Sequence, residues 1–216
     1  MRTLLIVACL ALLGGCNILL TKDPLFTKAD EAGRPPLKPG VWAEAFKPDC
    51  QVDVAKPLAE WPSCANGFVV LADGHVGSYE THDGKPVWVT TDMIVAAGDP
   101  MVAQVHLVDH TEGAPAGAAY AYAGMRPSKL DDQGRAIELT TWPVLCGPPP
   151  PADAKKPNGD QQYGTLQPAP GMTMDNDSDD CTTTDPAAAR AVAHASEAWT
   201  AADSFTHDHW VREGER

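Results

Sequence analysis

Between residues 67 and 142 the chain alternates short apolar stretches with two-residue turn signals, and nowhere in that span is there room for a helix. Asp73-Gly74 and Asp83-Gly84 are the strongest of these signals, because a type I′ turn needs positive φ and matches the twist of the strands it joins. Gly98-Asp99 and Gln133-Gly134 punctuate the rest. The stretches they separate run over 67–72, 75–80, 86–96, 101–110, 116–125 and 135–142. In one of them Met101, Ala103, Val105 and Leu107 fall on one face, and Gln104, His106 and His110 on the other. In another, Val87, Val89, Thr91, Met93 and Val95 share a face. Period-two alternation of this kind marks half-buried strands. Short strands joined by tight turns form an antiparallel meander. A doubly wound α/β fold is excluded, since parallel neighbours need crossover helices.

Such a sheet must bury its apolar face, so it either closes on itself or takes a second layer. The expected fold is therefore mainly β, a sandwich or partly closed barrel, with one C-terminal helix packed on it. Asp185-Pro186 opens that helix as N-cap and first helical residue, the positions each residue favours. Its predicted extent is 186–202, with Ala188, Val192, Ala195, Trp199 and Ala202 on one stripe and Arg190, His194 and Glu197 opposite. Trp199 is the large residue of that stripe and the expected anchor on the sheet. A last strand is predicted over 205–213. Ahead of the meander, Gly40-Val41-Trp42-Ala43 starts an apolar segment. Residues 147–184 read as a long loop, with four consecutive prolines from Pro148 to Pro151 and an acidic run from Asp175 to Asp180.

The N-terminus carries one arginine, then the apolar run Leu4 to Leu13, then Gly14-Gly15-Cys16. This is the plan of a secretory signal peptide, and the run is shorter than the ~20 residues that span a bilayer. Leu13-Gly14-Gly15-Cys16 resembles the lipobox of bacterial lipoproteins. The resemblance implies cleavage before Cys16, with a diacylglyceryl group on its thiol and an acyl chain on its amine. Several chains anchor stably where one does not. In Gram-negative members of that class an aspartate after the cysteine favours retention at the inner membrane, so Asn17 implies the outer membrane. The expected organisation is a signal peptide over 1–15, a lipidated cysteine with a Pro-rich flexible tether over 16–39, and one β-rich domain over 40–216.

Six cysteines are present. With Cys9 in the signal peptide and Cys16 as the anchor, Cys50, Cys64, Cys146 and Cys181 remain. An even number in an exported chain reads as disulfides. Of three connectivities, Cys50–Cys64 with Cys146–Cys181 is expected, because each pair brackets a loop-like segment. In the chain-entropy picture, loops of about 15 and about 36 residues contribute about 3 and about 4 kcal/mol. Structural zinc sites use short C-x(2–4)-C spacings, and these cysteines have none.

The chain has 29 acidic and 16 basic side chains, a net charge of −13. Nucleic acid is excluded as a partner, since phosphate binding needs clustered cations. Expected partners are the membrane, reached through the N-terminal lipid, and another envelope protein. No G-x-S-x-G, G-x-x-x-x-G-K or H-E-x-x-H pattern occurs, so none of these catalytic sites is encoded. No cofactor is called for. His106 with His110, and His207 with His209, share faces of predicted strands and are the candidate metal ligands. Asp175, Asp177 and Asp179 match the first ligands of an EF-hand loop, but Asp180 and Pro186 stand where that loop needs Gly and Glu, and the motif fails. Gly40-Val41-Trp42 resembles the G-x-W of lipocalins, which implies an eight-stranded barrel carrying an apolar ligand. The primary expectation is a lipid-anchored, non-catalytic envelope protein of binding or assembly-accessory type. The alternatives are a lipocalin-like carrier and an envelope enzyme.

Overall fold

The structure, a computed structural model, describes residues 17–45, 50–82, 85–107, 117–155, 159, 164–175 and 179–214. Its strands are β1 (Leu20–Thr21), β2 (Gly40–Glu44), β3 (Gly67–Val70), β4 (Val76–His82), β5 (Lys85–Thr91), β6 (Met93–Ala96), β7 (Met101–His106), β8 (Tyr120–Leu130), β9 (Ala136–Pro143), β10 (Thr173–Met174), β11 (Cys181–Thr182) and β12 (Thr206–Arg212), with helix α1 (Pro186–Trp199) before the last. The meander is present as expected. The strands from β2 to β5, and from β6 to β9, pair antiparallel with their chain neighbours, and β12 lies between β9 and β2. Only Asp92 separates β5 from β6. Thr91, Met93 and Val95 stay buried across it. β5 pairs with β4 and β6 with β7, so one bent strand joins the two ends of the sheet. The result is a nearly closed antiparallel barrel, not a sandwich.

The period-two pattern decides what lies inside. Trp42, Val70, Val76, Met93, Val95, Met101, Ala103, Val105, Met125 and Leu139 fill the interior. At one end Trp42 stacks on Phe68 with ring centroids 6.1 Å apart, and its indole donates to Lys38 O at 2.9 Å. Gly40 has φ +130°, and a Cβ there would meet the Arg212 carbonyl and the Trp210 indole. The Gly-Val-Trp segment thus closes this end: glycine admits the crossing backbone and tryptophan fills the floor.

Two excursions cover the outer surface of the barrel, and a disulfide serves each. The first carries Leu58 and Trp61 onto Val41 and Val69. Cys50 and Cys64 pin it, with Cα atoms 5.8 Å apart. The second carries α1 over the outer face of β7, β8 and β9. The Cys146–Cys181 disulfide closes the stretch that leads into α1, with Cα atoms 5.6 Å apart. Both pairs are those expected from the sequence. Replacing Cys50 and Cys64 together by serine is expected to lower stability by no more than about 3 kcal/mol. Denaturant unfolding followed by tryptophan fluorescence measures it, and an unchanged midpoint would show that Leu58 and Trp61 hold the flap unaided.

Three expectations are corrected. First, α1 ends at Trp199, and its buried face is Ala189, Val192, Ala193 and Ser196. Trp199 is only partly buried at the edge of the contact. The large anchoring residue comes from the sheet: Trp142 is 2% exposed and its indole donates to Ala193 O at 3.0 Å. Small helical residues allow this close approach, and Ser196 adds a bond by accepting from Leu145 N at 2.8 Å.

Second, residues 17–39 are not a tether. Ile18, Leu19, Leu20, Phe26 and Leu37 are buried, and β1 pairs with β8. The Gln104 side chain accepts from Leu25 N and Phe26 N at 2.7 and 2.8 Å and donates to Phe26 O at 3.1 Å. Apolar residues flanking the prolines have more to bury than the prolines have to keep exposed. The folded unit therefore starts by Asn17 rather than at residue 40. Third, the stretch 147–184 is not wholly a loop: it contributes β10 and β11, and Met172 packs under α1.

Candidate ligand site in the barrel

Alternation on β12 turns Thr206, Asp208 and Trp210 to one face and His207 and His209 to the other. Thr206 and Asp208 line a cavity of about 90 Å³ inside the barrel. On β2 the same alternation places Glu44 there, directly opposite Asp208 in register. The wall is mostly apolar, from Leu37, Phe68, Met93, Ala103, Val105, Ala121, Ala123, Met125 and Leu139. The polar groups are Glu44, Asn66, Ser78, Thr141, Ser204, Thr206 and Asp208. Among the described residues no lysine, arginine or histidine lines the cavity.

The two carboxyls differ. Glu44 has a partner, since Asn66 Nδ2 donates to its Oε2. The Asp208 carboxyl accepts no hydrogen bond from a described residue. Burial, and then the charge of Glu44, push its pKa up to about 7. A carboxyl in that state is part protonated near neutral pH and serves as donor or acceptor. Tyr122, from the outer face of β8, is 1% exposed, with its hydroxyl 2.7 Å from Thr21 Oγ1. Burial pushes that phenol up to about 12, so it stays neutral and structural.

The candidate metal ligands do not converge. His110 lies outside the described residues. His106 packs on Tyr120, with ring centroids 5.2 Å apart. His207 Nδ1 lies 3.2 Å from Thr140 Oγ1. β8 and β9 stand between β7 and β12 in the sheet, so His106 is kept away from His207 and His209. Among the described residues no group of three or more His, Cys, Asp or Glu side chains is placed to hold a metal ion. Cys16 also lies outside the described residues.

One constellation escaped the sequence reading. His75 Nδ1 lies 2.9 Å from Asp73 Oδ1, and Nε2 lies 2.7 Å from Asp92 Oδ1. The Asp73 contact is the largest cause that raises its pKa. It borders an open cleft of about 380 Å³ with Phe26, Lys28, Gln104 and Tyr120. Both ring nitrogens face carboxylates, though Nδ1 makes no well-directed hydrogen bond. His75 ties the β3–β4 turn to the bend at Asp92. Nothing in residues 73–75 or at 92 signals this pairing, because it depends on barrel closure.

No protein-family model matches the chain, no curated protein does, and neither does any solved structure.

Proposed function

We propose that this chain is a lipid-anchored, non-catalytic binding protein of the bacterial cell envelope, and that its barrel takes a small, mostly apolar ligand bearing a positively charged head. The carrying observation is the cavity itself: an apolar wall with Glu44 and Asp208 facing it and no cation among the described residues that line it. An ammonium group between the two carboxyls would relieve their mutual repulsion and supply Asp208 with hydrogen bonds. The signal-peptide pattern and the lipobox-like Leu13-Gly14-Gly15-Cys16 support the anchor. The two disulfides suit an oxidising compartment.

A lipocalin-like carrier is the second reading, favoured by the barrel and by Gly40-Val41-Trp42 on its first strand. Pockets for drug-sized ligands occupy ~300–1,000 Å³, and about 90 Å³ falls short of that. The size favours a short ligand over a bulky one.

Calorimetric titration with butylammonium, butanol and butyrate tests the proposal. Butylammonium is expected to bind at least about tenfold more tightly than butanol, a difference of about 1.4 kcal/mol. Butyrate is expected not to bind. Ala123→Leu, which fills the cavity, should abolish binding, and Glu44→Gln should remove the preference for the cation. Equal binding of alcohol and amine, both lost in Ala123→Leu, would keep the barrel as the site and overturn the charged head. Binding of none of the three would overturn the site.

A further inference from the structure

If Cys16 carries the lipid, only the backbone of one residue separates that lipid from the folded domain, because Asn17 is already 7% exposed. Asn17 is held on two sides. Cys146 N donates to its carbonyl at 2.9 Å, and its own side chain donates to Gly147 O at 3.5 Å. The next residue is fixed as well, with Ile18 N donating to Asp180 Oδ1 at 3.3 Å and Cys181 N donating to Ile18 O at 3.1 Å. The Cys146–Cys181 disulfide lies directly behind both strands of contact. Nothing in this arrangement can reel out as a linker.

The surface beside that exit has a composition unlike the rest of the chain. Gly147 and Pro148 lie against residues 165–169: Thr165 Oγ1 donates to Pro148 O at 3.1 Å, and Ala169 N donates to Cys146 O at 2.8 Å. This packing raises Leu166 to the outside, 64% exposed, the highest value among the large exposed apolar side chains of the described residues. Pro148, Pro149, Gln167 and Pro168 around it are exposed and uncharged. In a protein of net charge −13, a protruding leucine flanked by prolines at the anchoring point, with Asp179 at its border against Gly164, is suited to the one surface that an anchored chain must approach. The acidic remainder is repelled by anionic headgroups and would keep the other faces away.

Resting on the lipid-anchor reading above, we propose that the Pro148–Leu166 face lies on the bilayer and that Leu166 enters it, so that the barrel is held at the membrane in one orientation. The occupant is the lipid surface. The argument for it is the immediate succession of Cys16 and the buried Asn17, together with the exposed Leu166 among Pro148, Pro149, Gln167 and Pro168, a patch bordered by Asp179 at Gly164.

The test uses the full chain matured and purified from a bacterial host, reconstituted in phosphatidylethanolamine–phosphatidylglycerol vesicles. Leu166→Cys and Leu130→Cys each receive an environment-sensitive fluorophore. Leu130 ends β8, away from the β1 contact, and is 48% exposed. The label at 166 is expected to show blue-shifted emission and quenching by a lipid-borne quencher, and the label at 130 neither. A water-like signal at both positions in a vesicle-bound protein would overturn the docking and leave the anchor standing. Equal quenching at both would overturn the single orientation. Mass spectrometry of the N-terminal peptide is read in parallel. An unmodified Cys16, with the protein floating free of vesicles, would refute the anchor and the docking with it.

Discussion

Trp142→Ala is expected to cost about 3–5 kcal/mol, the range for a large aromatic truncated in a core. The side chain is 2% exposed and is wedged between β9 and α1. A Cβ on Gly124 would strike its ring, so the neighbouring strand has already given up a side chain to seat it. Its loss would leave α1 with the contacts of Ala189, Val192, Ala193 and Ser196, which bury little area among them. Trp142→Phe keeps most of the apolar surface but loses the bond to Ala193 O, for about 1 kcal/mol. Trp199→Ala removes a half-buried ring at the end of the helix and is expected to cost less than half as much as Trp142→Ala. Urea unfolding of the three variants gives the order. A larger effect at Trp199 than at Trp142 would overturn this assignment of the anchor.

The contrast between these two tryptophans shows where a sequence stops being readable. The meander was legible because each strand carries its own alternation and each turn its own Gly. Both disulfides were legible because each closes a local excursion. The helix was legible in position, from Asp185-Pro186, but not in rotation. An alanine-rich helix offers several stripes of equal apolarity, and which one faces inward is set by the shape of the surface beneath. Here Trp142 and Gly124 set it, and neither belongs to the helix. The N-terminal segment was misread for a related reason. Its prolines and charges are local signals, whereas the receptor for Leu25 and Phe26 is a glutamine on β7, far along the chain.

The barrel site was half legible. Gly40-Val41-Trp42 at the start of the first barrel strand pointed to a barrel that carries a ligand. Glu44 and Asp208 gave no signal. Glu44 ends an otherwise apolar strand and Asp208 lies between two histidines, so each reads as solvent-facing, and only the closure of β12 onto β2 brings them together inside. Barrel closure is a long-range event, and residue patterns within one strand cannot report it.

Asp208→Asn is expected to stabilise the protein above neutral pH and to change little near pH 4. The carboxyl titrates near the ordinary carboxylate range in the unfolded chain but at about 7 in the folded one. Between those values the folded state holds a proton that the unfolded state has released. Stability therefore falls as pH rises from about 4 to about 7 and loses nothing more above it. Three pH units correspond to no more than about 4 kcal/mol at 1.36 kcal/mol per unit, and partial solvent access reduces that. Glu44 stands opposite Asp208 in register, and its charge adds to the rise. His75 contributes a decline of the same sign above its ordinary pKa, because its folded value is raised, but it is exposed and its pairs are screened. Asp30, Asp131 and Glu197 act oppositely: their pKa values are lowered, by Thr27, Arg135 and Arg126 respectively, so their contribution is lost as pH falls below about 4. The wild-type protein should thus be most stable in mildly acidic solution. In Asp208→Asn the descent toward neutral pH should flatten while the acid limb stays in place. Thermal melts from pH 4 to pH 9 separate the two limbs. Parallel curves for wild type and variant would show that Asp208 ionises freely in the fold, and the cation-seeking character of the barrel would go with it. A saturating cation such as butylammonium should flatten the wild-type curve in the same way, since it stabilises the ionised carboxyl that burial alone disfavours.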